Sequence, residues 1–241
     1  MVIVGVVALQ GAVREHVELI ERLGASAVRV RTPSDLDAVG ALVLPGGEST
    51  AMARLARPSG LLSAIRRRAD EGLPVLGTCA GLILLADRVA DPEALAGLPT
   101  VGGLDVTVRR NAYGAQLASG VADLDLRGGA TARGVFIRAP RIEEIGPDVE
   151  VVAARDGEPV AVRQGTIIGA TYHPELAGDT FLHALLLGAM ATPKSHRTVS
   201  EVTARASGPA SHEAGVVPLR TGRLSTPEAA PGPVSRDVAR P

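Results

Sequence analysis

The chain has 241 residues, a hydrophobic fraction of 46%, 2% aromatic residues, no Trp and a formal net charge of −1. That length suits one large α/β domain or two small ones, with a core that Val, Leu, Ile and Ala must build. The near-neutral balance gives no reason to expect nucleic acid or an anionic membrane as partner, and a single cysteine cannot form an internal disulfide, so the reducing cytoplasm is the expected compartment.

Residues 1–9 are apolar, lack a basic flank and are too few to span a bilayer; they read as a strand buried on both faces. No other stretch looks transmembrane. After Gln10-Gly11, residues 12–23 carry Val13, Val17 and Ile20 at helical spacing, and Gly24 closes that helix. Residues 27–31 and 41–44 read as strands. The second ends at Pro45-Gly46-Gly47-Glu48-Ser49, and helical segments follow over 50–56 and 60–71. Residues 73–76 read as a buried strand, and a helix is expected over 82–86. Strands that are continuous apolar runs, alternating with helices, predict a mostly parallel sheet with helices on both faces. Sites in such sheets form at the carboxyl ends of the strands, where Gln10, Gly46-Gly47-Glu48 and Cys79 all fall.

The middle of the chain changes character. Strands are expected over 104–109, 121–126, 135–137, 149–154, 160–163 and 166–172, with Gly-containing turns between them. This predicts an antiparallel portion, partly extending the sheet and partly folding over the site. A last helix is expected over 179–190. Residues 1–190 thus read as the folded domain. Residues 191–241 hold seven of the 17 prolines, and seven basic residues against four acidic ones, with no helical or strand period. They read as a disordered tail, with a weakly basic interaction arm as the alternative.

The chemistry centres on Gly77-Thr78-Cys79-Ala80-Gly81, which holds the one cysteine. A strand that turns sharply into a helix lifts one side chain from the top of a sheet, and the glycines are expected to let the backbone make that turn. The helix N-terminus there favours negative charge and offers N–H donors to a developing oxyanion. Alone, the pattern fits a nucleophile and a buried structural cysteine equally well. A cysteine nucleophile needs a base, and the base an orienting group. Of the five histidines, His16 and His183 fall on helices and His196 and His212 in the tail. Only His173 ends a strand and enters a loop, in Tyr172-His173-Pro174-Glu175, and Glu175 follows within reach. Alone, that stretch also fits a surface His-Pro turn with a solvated Glu.

Several stretches together resemble the class I, triad-type glutamine amidotransferases: Leu9-Gln10-Gly11-Ala12-Val13-Arg14-Glu15-His16, Pro45-Gly46-Gly47-Glu48-Ser49-Thr50, Gly77-Thr78-Cys79-Ala80-Gly81, Phe136-Ile137-Arg138-Ala139-Pro140 and His173-Pro174-Glu175. The first, second and fourth are similar to one branch, the glutaminase subunits that serve pyridoxal 5′-phosphate synthases. The resemblance covers residues 1 to about 190. It implies a flavodoxin-like fold and hydrolysis of glutamine by Cys79, His173 and Glu175 through a glutamyl thioester. It implies an oxyanion hole at the backbone of Gly47 and Ala80, and glutamine binding by Gly47, Glu48, Ser49, Arg110, Ile137 and Arg138. It also implies a synthase subunit as partner, with Gln10 near the docking face. Pyridoxal 5′-phosphate would be the product of such a complex, so neither a cofactor nor a metal is expected in this chain. The alternatives are a glutaminase for another synthase, a catalytically silent regulatory homologue, and a different cysteine hydrolase. One departure stands out. The branch usually carries Arg-Asn-Ser-Phe/Tyr-Gly-Arg-Gln where this chain has Arg110-Asn111-Ala112-Tyr113-Gly114-Ala115-Gln116.

Overall fold

The computed structural model describes residues 2–112 and 120–190. The expected tail and the stretch 113–119, which includes Ala115, lie outside the described residues.

Among the described residues, nine strands form one mixed sheet in the order β2-β1-β3-β4-β12-β11-β10-β7-β8. Its core is parallel: β1 (Ile3–Val7) between β2 (Ser26–Val30) and β3 (Ala41–Leu44), then β4 (Val75–Thr78) and β12 (Ile167–Ala170). The expected antiparallel portion extends this sheet through β11 (Glu158–Gln164), β10 (Glu150–Arg155), β7 (Gly120–Leu126) and β8 (Thr131–Phe136). A separate three-stranded sheet holds β5 (Ala86–Val89), β6 (Leu104–Arg109) and β9 (Arg141–Ile145). β5 and β9 carry few apolar residues and were not expected from the sequence.

The parallel strands are apolar throughout because both faces are covered. On β3, Leu42 and Leu44 join the core under α2 (Ser49–Ala56), α3 (Leu61–Asp70) and α4 (Ala80–Leu85). Ala41 and Val43 face the opposite core with Ile20 of α1 (Val13–Arg22) and Leu182 and Leu186 of α6 (Phe181–Met190). Burying each such Leu or Ile is worth about 1.5–3 kcal/mol, which is how two thin layers of aliphatic side chains hold a sheet with few aromatics. Between β12 and α6 a single helical turn, α5 (Pro174–Ala177), starts on Pro174, whose missing N–H costs nothing at a first helical position. His173 therefore opens a helix rather than the loop expected for it.

Among the described residues, no helix is long and apolar enough to cross a membrane.

Candidate active site

β4 and β12 lie side by side and run parallel, with Thr78 paired to Ala170. Cys79 follows the first strand and His173 comes three residues after the end of the second, so adjacent strand ends deliver both groups to one edge. The Cys79 N–H donates to the Ala170 carbonyl at 2.8 Å, which ties the elbow to that neighbour.

The elbow is built differently from the sequence expectation. The residue that makes the sharp turn is Cys79 itself, at φ 49° and ψ −103° just before α4. Such a conformation is costly for a residue with a Cβ and persists only where its surroundings enforce it. The glycines on either side serve close approach instead. A Cβ on Gly77 would stand 2.7 Å from the Gly81 carbonyl, and one on Gly81 would overlap the Leu44 carbonyl oxygen. The pattern GxCxG thus lets α4 press onto β3 and β4 while the cysteine is lifted into the cleft.

His173 Nδ1 and Glu175 Oε1 are 2.7 Å apart, and the Glu175 side chain is wholly buried. Burial alone would lower the His173 pKa. Hydrogen bonds to Cys79 and Glu175, and the charges of both, outweigh it and push the imidazole up to about 10. The site therefore favours an imidazolium between two acidic partners, the arrangement a thiolate nucleophile requires.

A cavity of about 410 Å³ opens over this pair. Gln10, Gly47, Glu48, Ser49, Cys79, Ile83, Arg110, Asn111, Ile137, Arg138 and His173 line it. Every residue expected to bind glutamine is brought there. Glu175 stands behind His173, outside the lining, and Ala80 lies under the elbow as the first residue of α4. The Glu48 carboxylate caps α2, accepting from the N–H groups of Thr50 at 3.0 Å and Ala51 at 2.7 Å. Burial would raise its pKa, but those two donors, the Thr50 hydroxyl and the Arg110 charge hold it below the usual range. Its Oε1 also lies 3.6 Å from Arg110 Nη2, so Glu48 aims the guanidinium. Gln10 Oε1 accepts a long bond, 3.4 Å, from the Glu48 N–H beside Gly47. Among the described residues, no cluster of three or more His, Cys, Asp or Glu is placed to hold a metal ion.

His16 and His183, assigned on sequence only to helices, are both fully buried behind Glu175, and neither was expected near the site. The signal available was His16 at the end of Leu9-Gln10-Gly11-Ala12-Val13-Arg14-Glu15-His16, a stretch already marked by the resemblance. Asn111 and Ile83 in the cavity wall were also not anticipated.

The fold is that of a class I glutamine amidotransferase. A crystal structure of a glutamine amidotransferase matches with a TM-score of 0.73 at 43% sequence identity, covering 78% of this chain and 99% of its own. The model of the SNO glutamine amidotransferase family matches residues 6–190, and the chain belongs to that family. The pyridoxal 5′-phosphate synthase subunit PdxT of Clavibacter sepedonicus is 50% identical over 188 residues, 77% of this chain and 89% of that protein. Its counterpart in Mycolicibacterium vanbaalenii is 50% identical over 191 residues, 78% of this chain and 97% of that protein.

Proposed function

We propose that this chain is the glutaminase subunit of a pyridoxal 5′-phosphate synthase, hydrolysing glutamine to glutamate and ammonia. The observation that carries the reading is the delivery of Cys79 and the His173–Glu175 pair, 2.7 Å apart, to one cavity from neighbouring strand ends. The relatives' names supply the synthase.

Cys79 attacks the side-chain carbonyl carbon of glutamine as thiolate. The negative charge that develops on oxygen is met by the N–H groups of Gly47 and Ala80; losing one donor of this kind costs about 10²–10³ in rate. As the C–N bond breaks, His173 gives its proton to the departing nitrogen, and ammonia leaves behind a glutamyl thioester. Water then attacks the thioester, His173 takes the proton, and glutamate departs. Glu175 holds the imidazole in the orientation both transfers need. Arg110 and Arg138 suit the substrate's α-carboxylate, because a guanidinium fork matches that group. Gly47, Glu48, Ser49 and Ile137 complete the binding wall.

Ammonia released into open water would be protonated and diluted, so the glutaminase docks on a synthase subunit that takes it up. Gln10 sits against Gly47 and Glu48, where docking can reshape the oxyanion hole. The glutaminase domain is residues 1–190, and the complex works in the cytoplasm.

The test is glutamate release by the full chain, alone and with the synthase subunit, beside Cys79→Ala. Activity that rises with the partner and vanishes in the variant is expected. Activity that ignores the partner would reassign the chain to another synthase. No activity from folded wild type would overturn the glutaminase reading.

A further inference from the structure

Glu175 divides its two oxygens. Oε1 is engaged by His173 Nδ1 at 2.7 Å. Oε2 is buried without a hydrogen-bond partner, and His16 Nε2 lies 3.4 Å from it. A buried carboxylate oxygen without a donor is expensive, so what faces Oε2 matters.

His16 continues into a second ring. Its Nδ1 lies 2.8 Å from His183 Nε2, and His183 Nδ1 is buried without a partner. Only two neutral tautomer patterns fit this geometry. If His16 carries its proton on Nδ1, a bare nitrogen lone pair faces the Glu175 carboxylate. His183 must then accept at Nε2 and bury an unpaired N–H at Nδ1. If His16 carries its proton on Nε2, that N–H faces Oε2 and the Thr78 hydroxyl, which is also 3.4 Å away. His183 then donates from Nε2, and only an unprotonated nitrogen is left without a partner. The first pattern has two faults and the second has one.

We propose that His16 is a positioning residue for the triad, its Nε2–H supporting Oε2 of Glu175 and its Nδ1 held by the N–H of His183. The inference rests on the reading of Glu175 as the partner of His173. The groups facing His16 are Glu175 from α5, Thr78 from the end of β4, His183 from α6, and His173 beyond Glu175, while Arg22 at the end of α1 acts on His183. Both rings are neutral at ordinary pH: burial first, then the neighbouring histidine and Arg22 charges, disfavours their cations. A neutral donor suits the task. It steadies the carboxylate without cancelling the charge that His173 needs.

The wild-type full chain provides the first test. Nitrogen-15 NMR of its imidazoles should find His16 and His183 both protonated at Nε2 and bare at Nδ1. His16 protonated at Nδ1 would overturn the proposal. This readout needs no turnover, so its failure is distinct from failure of the glutaminase reading, which wild-type inactivity alone would bring. The second test compares His16→Gln, whose amide nitrogen can reach the Nε2 position, with His16→Leu. Removing the ring nitrogen that faces a buried carboxylate oxygen predicts that His16→Leu loses about 10- to 100-fold in kcat with KM within about twofold. The acid limb of its kcat/KM profile should also move to higher pH. His16→Gln should keep most of the rate and the wild-type profile. Equal losses in both variants, or a folded His16→Leu with wild-type kcat and profile, would overturn it.

Discussion

Gly46 and His173 share the space of one methyl group. A Cβ on Gly46 would overlap Cε1 of the imidazole and stand 2.9 Å from Nδ1. The glycine is thus the floor against which the His173 ring lies. Its backbone needs no unusual dihedral, since it is absent from the residues with positive φ. Gly46→Ala therefore tests ring placement alone. Overpacking of this kind costs about 1–3 kcal/mol of stability. Displacing the ring by about 1 Å would cost about 10² in kcat. The expected outcome is a folded, mildly destabilised chain with kcat for glutamine down about a hundredfold. A chain with wild-type kcat would show that the ring has room to yield.

The buried histidines tie stability to pH with opposite signs. Burial, then the charges of His183 and His173, holds His16 well below 6.5, and burial, then Arg22, holds His183 near 4. Unfolding returns both toward 6.5, so the unfolded chain binds more protons. Their contribution to stability is complete above about 6.5 and is lost as pH falls toward the folded values. His173 runs the other way. Burial opposes its charge, but the bonds and charges of Cys79 and Glu175 raise it to about 10. Its contribution is complete below 6.5 and is lost as pH rises toward 10. Denaturant unfolding followed against pH should show uptake of about two protons on unfolding near pH 5. His183→Leu should reduce the acid-side uptake to about one. An uptake that stays near two in that variant would mean other groups carry the acid dependence.

Much of this arrangement is legible in the sequence, and what is not has a physical reason. Residues 41–44 and the run before Cys79 announce strands buried on both faces, and the rule that sites gather at strand carboxyl ends then brings Gln10, Gly46, Cys79 and His173 together. The run before Cys79 starts later than its apolar pattern suggests, at Val75, because Pro74 has no N–H for the ladder; it continues through Gly77 and Thr78, which pair with Gly169 and Ala170. β9 reads Arg-Ile-Glu-Glu-Ile, and part of its cross-strand support comes from its two carboxylates: Glu143 takes the Arg109 guanidinium and Glu144 accepts from the Thr107 hydroxyl. Such partners are invisible until β6 lies beside it. The role of Gly77 and Gly81 as gaps rather than hinges needs the Leu44 carbonyl to be in place. His16 and His183 are 167 residues apart and meet only because α1 and α6 pack on the same face of the sheet. No spacing within either helix records that.

Arg110 supplies the clearest handle on the proposed glutamine binding. Its side chain is 13% exposed, its Nη2 is 3.6 Å from Glu48 Oε1, and its Nη1 is buried with no hydrogen-bond partner. A buried cationic donor without an acceptor is a standing cost that an incoming carboxylate removes. The cavity wall thus holds a guanidinium with one edge oriented by Glu48 and the other without a partner. Lysine at this position keeps the charge but loses the planar fork. Hydrogen bonds to charged groups of about 1.5–3 kcal/mol predict that Arg110→Lys raises KM for glutamine about 10- to 100-fold. The proposed proton transfers belong to His173 and not to Arg110, so kcat should stay within about threefold. Inhibition by free glutamate, which shares the α-carboxylate, should weaken by a similar factor. Steady-state kinetics with both ligands decides. An unchanged KM with a reduced kcat would move Arg110 from substrate binding to support of the reacting groups.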